Sequence, residues 1–404
     1  MTAVAAVRGH PTAADRPTRR PMTAIVVAAA LMNAAMSVAS GVGTIVAADR
    51  LGLAWGGVAA TAGIVGTGAG ALALTRLTAR GRGRALAVGY LVGAVGAVVA
   101  TGGAVTDDVA ALLIGMLLLG VGNAAAQLSR YAAAELHTED RRGRAIGAVV
   151  WAGAVGAVGG PLLLGATAAL AGRLGWVPVA GPFLLAVAVT AVAAVVSRWL
   201  PYGSRTLTAA PAPLWTLLRR PAVRSAFAVL ATAQVVMVAV MTAAPVEMHR
   251  HGQGLGAVGL VLSAHTLGMF ALSPLTGRLV DRLGARPVLV AGLVALAAAA
   301  AATSAGPTDT AFRAAALSLL GYGWNLCFVG GSTALAETVP PAERARVEGT
   351  VDAAVWGLAA VAGLLSTVVL AFGGYAVLTA AAGLLVLVPA AALRSAPRAV
   401  TTRP

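Results

Sequence analysis

The chain alternates long apolar stretches with short polar ones, and the apolar stretches set the reading. Twelve of them lie at 22–46, 55–75, 85–104, 109–128, 146–171, 176–196, 226–246, 255–275, 288–302, 311–335, 350–371 and 375–393. As a helix, about 20 apolar residues cross about 30 Å of hydrocarbon. Lipid offers no partner to a bare N–H or C=O, so such stretches must be helical. The expected fold is an all-α membrane protein of about twelve transmembrane helices. The longest connection, 197–225, carries Pro201, Pro211, Pro213 and Pro221 and divides the helices into two sets of six. The expected organisation is a tail at 1–21, a six-helix bundle at 22–196, a linker at 197–225, a second bundle at 226–393 and a tail at 394–404. Each half joins its second and third helices by a short arginine-rich loop, which suggests pseudo-symmetric bundles built from a repeat.

The polar positions test that count. Alternate loops carry Arg76, Arg80, Arg82 and Arg84; Arg141, Arg142 and Arg144; Arg205, Arg219 and Arg220; Arg278, Arg282 and Arg286; Arg344 and Arg346. The intervening loops hold only Arg50, Arg173, Arg250 and Arg313. Cytoplasmic loops collect positive charge, so both termini and the linker are expected in the cytoplasm and the helix number is even. The polar, basic segment at 1–21 reads as a retained tail rather than a signal peptide, because many apolar runs follow the first one.

Composition narrows the function. The chain is 59% hydrophobic and 11% charged, too few charges for a water-facing globule of 404 residues. Its net charge of +15 comes from arginine alone, clustered between apolar runs, and aromatic residues make up 4%. That pattern excludes a nucleic-acid partner and points to a bilayer; the expected location is a bacterial plasma membrane, crossed many times by a monomer. The lone Cys327 excludes a disulfide within the chain. No phosphate-binding loop, H-E-x-x-H pair or catalytic triad candidate is present, so no enzyme is expected.

Candidate chemistry lies in the seventh and eighth helices. Met237 and Met241 are four apart, as are His265 and Met269, so each pair shares a helix face. Thioether and imidazole are soft ligands suited to Cu(I). Met237 and His265 both fall near mid-membrane, where transporter sites are built. Met32 and Met36 repeat the spacing in the first helix, and Cys327 is a further candidate cavity ligand. Methionine also fills irregular cores and lines pockets for greasy solutes, so both readings stand. Asn33, Asn123, Gln127, Gln234 and Asn325 either line a cavity or tie helices together.

Three motifs carry a family resemblance. Gly277, Asp281, Arg282, Gly284 and Arg286 resemble the loop signature G-x-L-x-D-R-x-G-x-R of the major facilitator superfamily. The resemblance implies a conformational latch in which Asp281 faces a helix end and Arg282 or Arg286 meets Glu337. In the first half Leu74 stands where the acid should be. The fifth helix, with Gly147, Gly156, Gly160, Pro161 and Gly165, is similar to the helix-packing motif of drug–proton exchangers in that superfamily. The Met and His pairs resemble the CcoA-like branch, bacterial copper importers. That likeness implies copper uptake by alternating access, with Met237, Met241, His265 and Met269 as transient ligands, copper as substrate and no permanently bound cofactor. The alternative is proton-coupled efflux of a drug or metabolite.

Overall fold

The computed structural model describes residues 19–78, 81–136, 139–200, 213–306 and 309–390. Most of the N-terminal tail, the middle of the linker and the C-terminal tail lie outside these residues. Fourteen α-helices follow in chain order among the described residues. The first half holds α1 (Arg19–Leu51), α2 (Gly57–Leu77), α3 (Arg82–Val105), α4 (Val109–Glu135), α5 (Glu139–Leu162), α6 (Leu164–Arg173) and α7 (Ala180–Val196). The second holds α8 (Leu214–Leu217), α9 (Pro221–Arg250), α10 (Leu255–Phe270), α11 (Ser273–Leu283), α12 (Ala285–Ala305), α13 (Thr310–Thr338) and α14 (Pro341–Leu385). Among the described residues ten helical stretches are long and apolar enough to cross a membrane, or eleven when α5 and α6 form one span bent by 42°. Helix α14 belongs to a 44-residue stretch, Val347–Ala390, interrupted by non-helical backbone at Gly374.

The helices follow the expected spans in order, except that 350–371 and 375–393 fall in the one stretch that holds α14, and four further differences stand out. Helix α1 already includes Arg19, inside the expected tail, and α9 starts at Pro221, inside the expected linker. Pro221 suits a first helical turn, where no N–H is needed. The fifth span breaks after Leu162 because Pro161 has no N–H to give Ala157. The eighth breaks between α10 and α11, just ahead of Pro274.

Backbone geometry repeats between the halves. The glycines with positive φ among the described residues are Gly52, Gly81, Gly175, Gly252, Gly284 and Gly374. They fall into pairs at equivalent turns: Gly52 with Gly252, Gly81 with Gly284, and Gly175 with Gly374. L-residues resist this region, so glycine at the same turns of both halves marks a shared backbone plan. Helix caps match too. Asp108 accepts from the Ala111 N–H at 3.1 Å at the start of α4, and Asp309 from the Phe312 N–H at 2.9 Å at the start of α13. Gly81 and Gly284 precede α3 and α12, so Thr78, not Leu74, stands opposite Asp281. The first half still lacks the acid.

Buried apolar side chains gather in one cluster within residues 24–200 and three within 217–386, so each half has its own core. Among the described residues, hydrogen bonds that join the halves include Gly57 N–H to Thr367 Oγ1, the Thr367 hydroxyl to the Ala54 carbonyl, Thr61 to Ala360 and Ser263 to Val158. His249 adds a 3.6 Å approach to Asp49. All of these lie toward the arginine-poor ends of the helices. Close backbone approach makes this possible. A Cβ on Gly57 would enter the Gly363 carbonyl, and one on Gly259 the Pro161 carbonyl.

The packing motif of the fifth span is partly realised. Gly156 sits against the Ala30 carbonyl and Gly160 against Ala34, both on α1, while Gly165 meets Gly256 across the halves. Gly147 has nothing within 4 Å of an added Cβ, so it has no packing role. Gly156→Leu is therefore expected to lower stability by at least about 1–3 kcal/mol. Gly147→Leu should leave it unchanged. Thermal melting of the two purified variants in detergent checks the pair.

Candidate functional site

Between the halves lies a cavity of about 200 Å³, walled by α1, α2, α9 and α10. Helix α1 contributes Ser37, Ser40 and Thr44, α2 contributes Ala60 and Ile64, α9 contributes Met237, Met241 and Thr242, and α10 contributes Leu262. The α9 wall is a stripe: Val238, Met241, Thr242 and Pro245 follow at spacings of three and four. No charged side chain lines the cavity.

The hydroxyls differ in what they are free to do. Ser37 donates to the Ala157 carbonyl at 3.1 Å, and Thr44 to the Gly41 carbonyl at 2.8 Å. Ser40 and Thr242, on facing helices, make no hydrogen bond among the described residues. A threonine within a helix commonly donates to a carbonyl one turn back. An open hydroxyl at Thr242 is therefore available to a solute.

Of the four expected metal ligands, Met237 and Met241 line the cavity and His265 and Met269 do not. The His265 imidazole is buried, with Nδ1 2.8 Å from the Leu317 carbonyl on α13. A carbonyl only accepts, so Nδ1 carries the proton, and the buried Nε2 has no partner. Met269 packs over Gly321 of α13. Helix α10 therefore turns this pair to α13, and the sulfur–imidazole set is divided between two surroundings.

The additional ligand candidates serve packing. Met32 is fully buried, its sulfur in the slot between Gly93 of α3 and Gly122 of α4. Met36 lies over Gly63 of α2. Cys327 is buried against Gly292 of α12, on the side of α13 away from the cavity. Thioethers and thiols fill such glycine-made slots well. Among the described residues no group of three His, Cys, Asp or Glu side chains is placed to hold a metal.

The latch residues surround the turn between α11 and α12. Gly284, at φ 81°, makes that turn. Asp281, Arg282 and Glu337 are exposed, and no ion pair joins Glu337 to Arg282 or Arg286. Gly277 has open space around it.

The buried amides tie helices. Asn123 donates to Thr67 at 3.2 Å and Gln234 accepts from Trp324 Nε1 at 2.7 Å. Asn325 bridges the α10–α11 break: its Nδ2 donates to the Met269 carbonyl and to Ser273, each at 2.8 Å, and its Oδ1 accepts from Thr276 at 2.6 Å. The sequence reading missed Ser40 and Thr242. Their signal was a small hydroxyl on the Met237–Met241 face and its counterpart on the first helix, which is weak in a chain rich in small residues. Asn325→Leu is expected to cost about 1–3 kcal/mol by leaving the Met269 carbonyl without its buried donor. A lowered melting temperature with retained helical circular dichroism checks it.

The sequence profile described as Major Facilitator Superfamily matches residues 21–257 and 226–404. The uncharacterized MFS-type transporter YdeG of Bacillus subtilis is 34% identical over 363 residues, covering 86% of this chain and 84% of that one. The riboflavin transporter RfnT of Brucella anthropi is 32% identical over 301 residues, covering 73% and 74%. Among solved structures, a bacterial homologue of the human lysosomal transporter Spinster, in an inward-facing and unoccupied conformation, superposes with a TM-score of 0.66. It is 15% identical and covers 95% of this chain and 97% of that one. The human organic anion transporter MFSD10 gives a TM-score of 0.65 at 15% identity, covering 94% and 100%.

Proposed function

The chain belongs to the major facilitator superfamily, and from that premise we propose that it is a secondary transporter of small uncharged organic solutes. The observation that carries this reading is the cavity between the halves: no charge, two open hydroxyls on facing helices, and two thioethers beside them. Such a lining suits a solute with both hydroxyl-bonding edges and apolar faces. An ion would meet no compensating charge there. Riboflavin, carried by the RfnT relative, has this character and is the first solute to test.

The reading extends to topology. Val347–Ala390 is about twice the length one crossing needs, so its break at Gly374 separates two spans, and the total becomes twelve. The arginine distribution then sets both termini and the linker in the cytoplasm of a bacterial cell. The transporting unit in this reading is a monomer, with both halves of one chain supplying the cavity wall. The halves meet at the arginine-poor end through a few hydrogen bonds, each contributing about 0.5–1.5 kcal/mol. That makes parting and rejoining of the halves accessible, which alternating access requires.

Copper is the second reading, and one observation favours it. With Nδ1–H held by Leu317, His265 Nε2 offers a bare lone pair, as in histidines oriented for a metal. It ranks second because His265 and Met269 lie off the cavity that holds Met237 and Met241.

Proteoliposomes carrying the purified chain are expected to accumulate radiolabelled riboflavin. A Ser40→Ala/Thr242→Ala double variant should slow transport about tenfold, roughly the loss of two hydrogen bonds. Transport of no uncharged solute, together with Cu(I) accumulation abolished by both Met237→Ala and His265→Ala, would reverse the order of the two readings.

A further inference from the structure

A second polar and aromatic cluster, built around the Gln234–Trp324 bond, lies one turn from the cavity. Gln234 precedes Met237 and Met241 by three and seven positions, so all three share one face of α9. Trp324 Nε1–H only donates, so the Gln234 carbonyl must face it and the amide nitrogen must point away. That nitrogen is buried and has no partner. An unpaired buried donor is costly, and the indole bond fixes its direction.

Beside it, Trp324 stacks on Phe328 with centroids 4.8 Å apart and planes 12° apart, and Phe270 of α10 meets the indole edge at 6.2 Å. Phe328 is nevertheless 43% exposed. Helical spacing says to what. Helix α13 turns Trp324 and Gly331 to α9 and Gly321 to α10, and Phe328 lies between those directions. Leu319, half a turn round, occupies the opposite, outer face. By helical spacing the open side of Phe328 therefore faces between α9 and the α10–α11 span rather than the outer surface. It lies nearer the arginine-rich end than Trp324 does.

We propose that Gln234, Trp324 and Phe328 form a ring-binding subsite for a planar, uncharged heteroaromatic group bearing a carbonyl. The ring stacks on the open side of Phe328, and its carbonyl accepts from the Gln234 amide. This deepens the organic-solute reading and rests on it: the subsite takes the ring, and the hydroxyl-lined cavity takes the rest of the solute. Trp324 is a positioning residue, since it acts by fixing the Gln234 amide and backing Phe328.

Lumichrome, a planar uncharged ring with two carbonyls and no polyol chain, is the probe. Its binding to the full chain in detergent is read by fluorescence quenching, beside thermal melting of each variant. Gln234→Leu and Phe328→Ala are each expected to weaken binding about tenfold or more, on the scale of one hydrogen bond or one ring contact. Gly147→Leu, at an exposed position with open space around it, should leave lumichrome binding unchanged. Phe328 is half exposed, so its variant reports even where Gln234→Leu folds poorly. Lumichrome affinity within twofold of the parent in both ring-site variants overturns the subsite, as does no binding to the parent. Riboflavin transport that still depends on Ser40 and Thr242 would, in either case, leave the carrier reading standing.

Discussion

The constraint on which this structure depends is that lipid solvates no backbone amide or carbonyl. An unbroken helix meets it by itself; a broken one must borrow partners. Pro161 withdraws the N–H that would serve Ala157, and the Ser37 hydroxyl of α1 takes that carbonyl instead. The next carbonyl, Val158, is taken by Ser263 from the other half. Between α10 and α11 the Met269 carbonyl is taken by Asn325. Each break is thus a place where another helix must arrive with a hydroxyl or amide, and these arrivals fix how α1, α5, α10 and α13 sit around the cavity.

The same constraint explains why small residues govern the meeting of the halves. Single hydrogen bonds from Ser263 and Thr367 reach carbonyls only if the backbones come close, and Gly57, Gly165, Gly256 and Gly259 permit that approach. Such an interface has tight geometry but little adhesive energy, because its apolar contact merely replaces contact with lipid. A pair of bundles held this way exchanges between packings more readily than one held by a large dry core. Asp49 and His249 sit at its rim, one on each half, where water reaches both.

How much of this was legible in the chain depends on the kind of force that fixes each feature. Span positions were readable because hydrophobic length is a property of consecutive residues, and Pro161 announced its own break. The repeat was visible only faintly, because its strongest marks are φ angles. Gly52 and Gly252 look like any two of 50 glycines until their backbones are compared. The Met237–Met241 stripe did reach the cavity. Spacing fixes which residues share a face of one helix, but not which neighbour that face meets. His265 was on the expected helix at the expected depth, and the rotation of α10 gave its Nδ1 to Leu317. Met32 shows the same limit: its slot exists because Gly93 and Gly122, far apart in the chain, leave room for it.

A cavity without charge places the burden of selectivity on unmet hydrogen bonds. Hydrophobic walls discriminate weakly, since one methylene more or less changes affinity by only about 1–3 kcal/mol. A fixed donor buried beside those walls discriminates better, because a solute lacking the matching acceptor leaves it unpaired. Among the described residues Gln234 offers a buried unmet donor, and His265, off the cavity, a buried unmet acceptor; each is held on its other side by α13. Both therefore report the position of α13 relative to α9 and α10. A solute that completes the Gln234 amide would draw those helices together, coupling recognition to the packing of the second half. In a carrier whose two halves are only lightly joined, that local gain is of the same order as the bonds that must break for the halves to part.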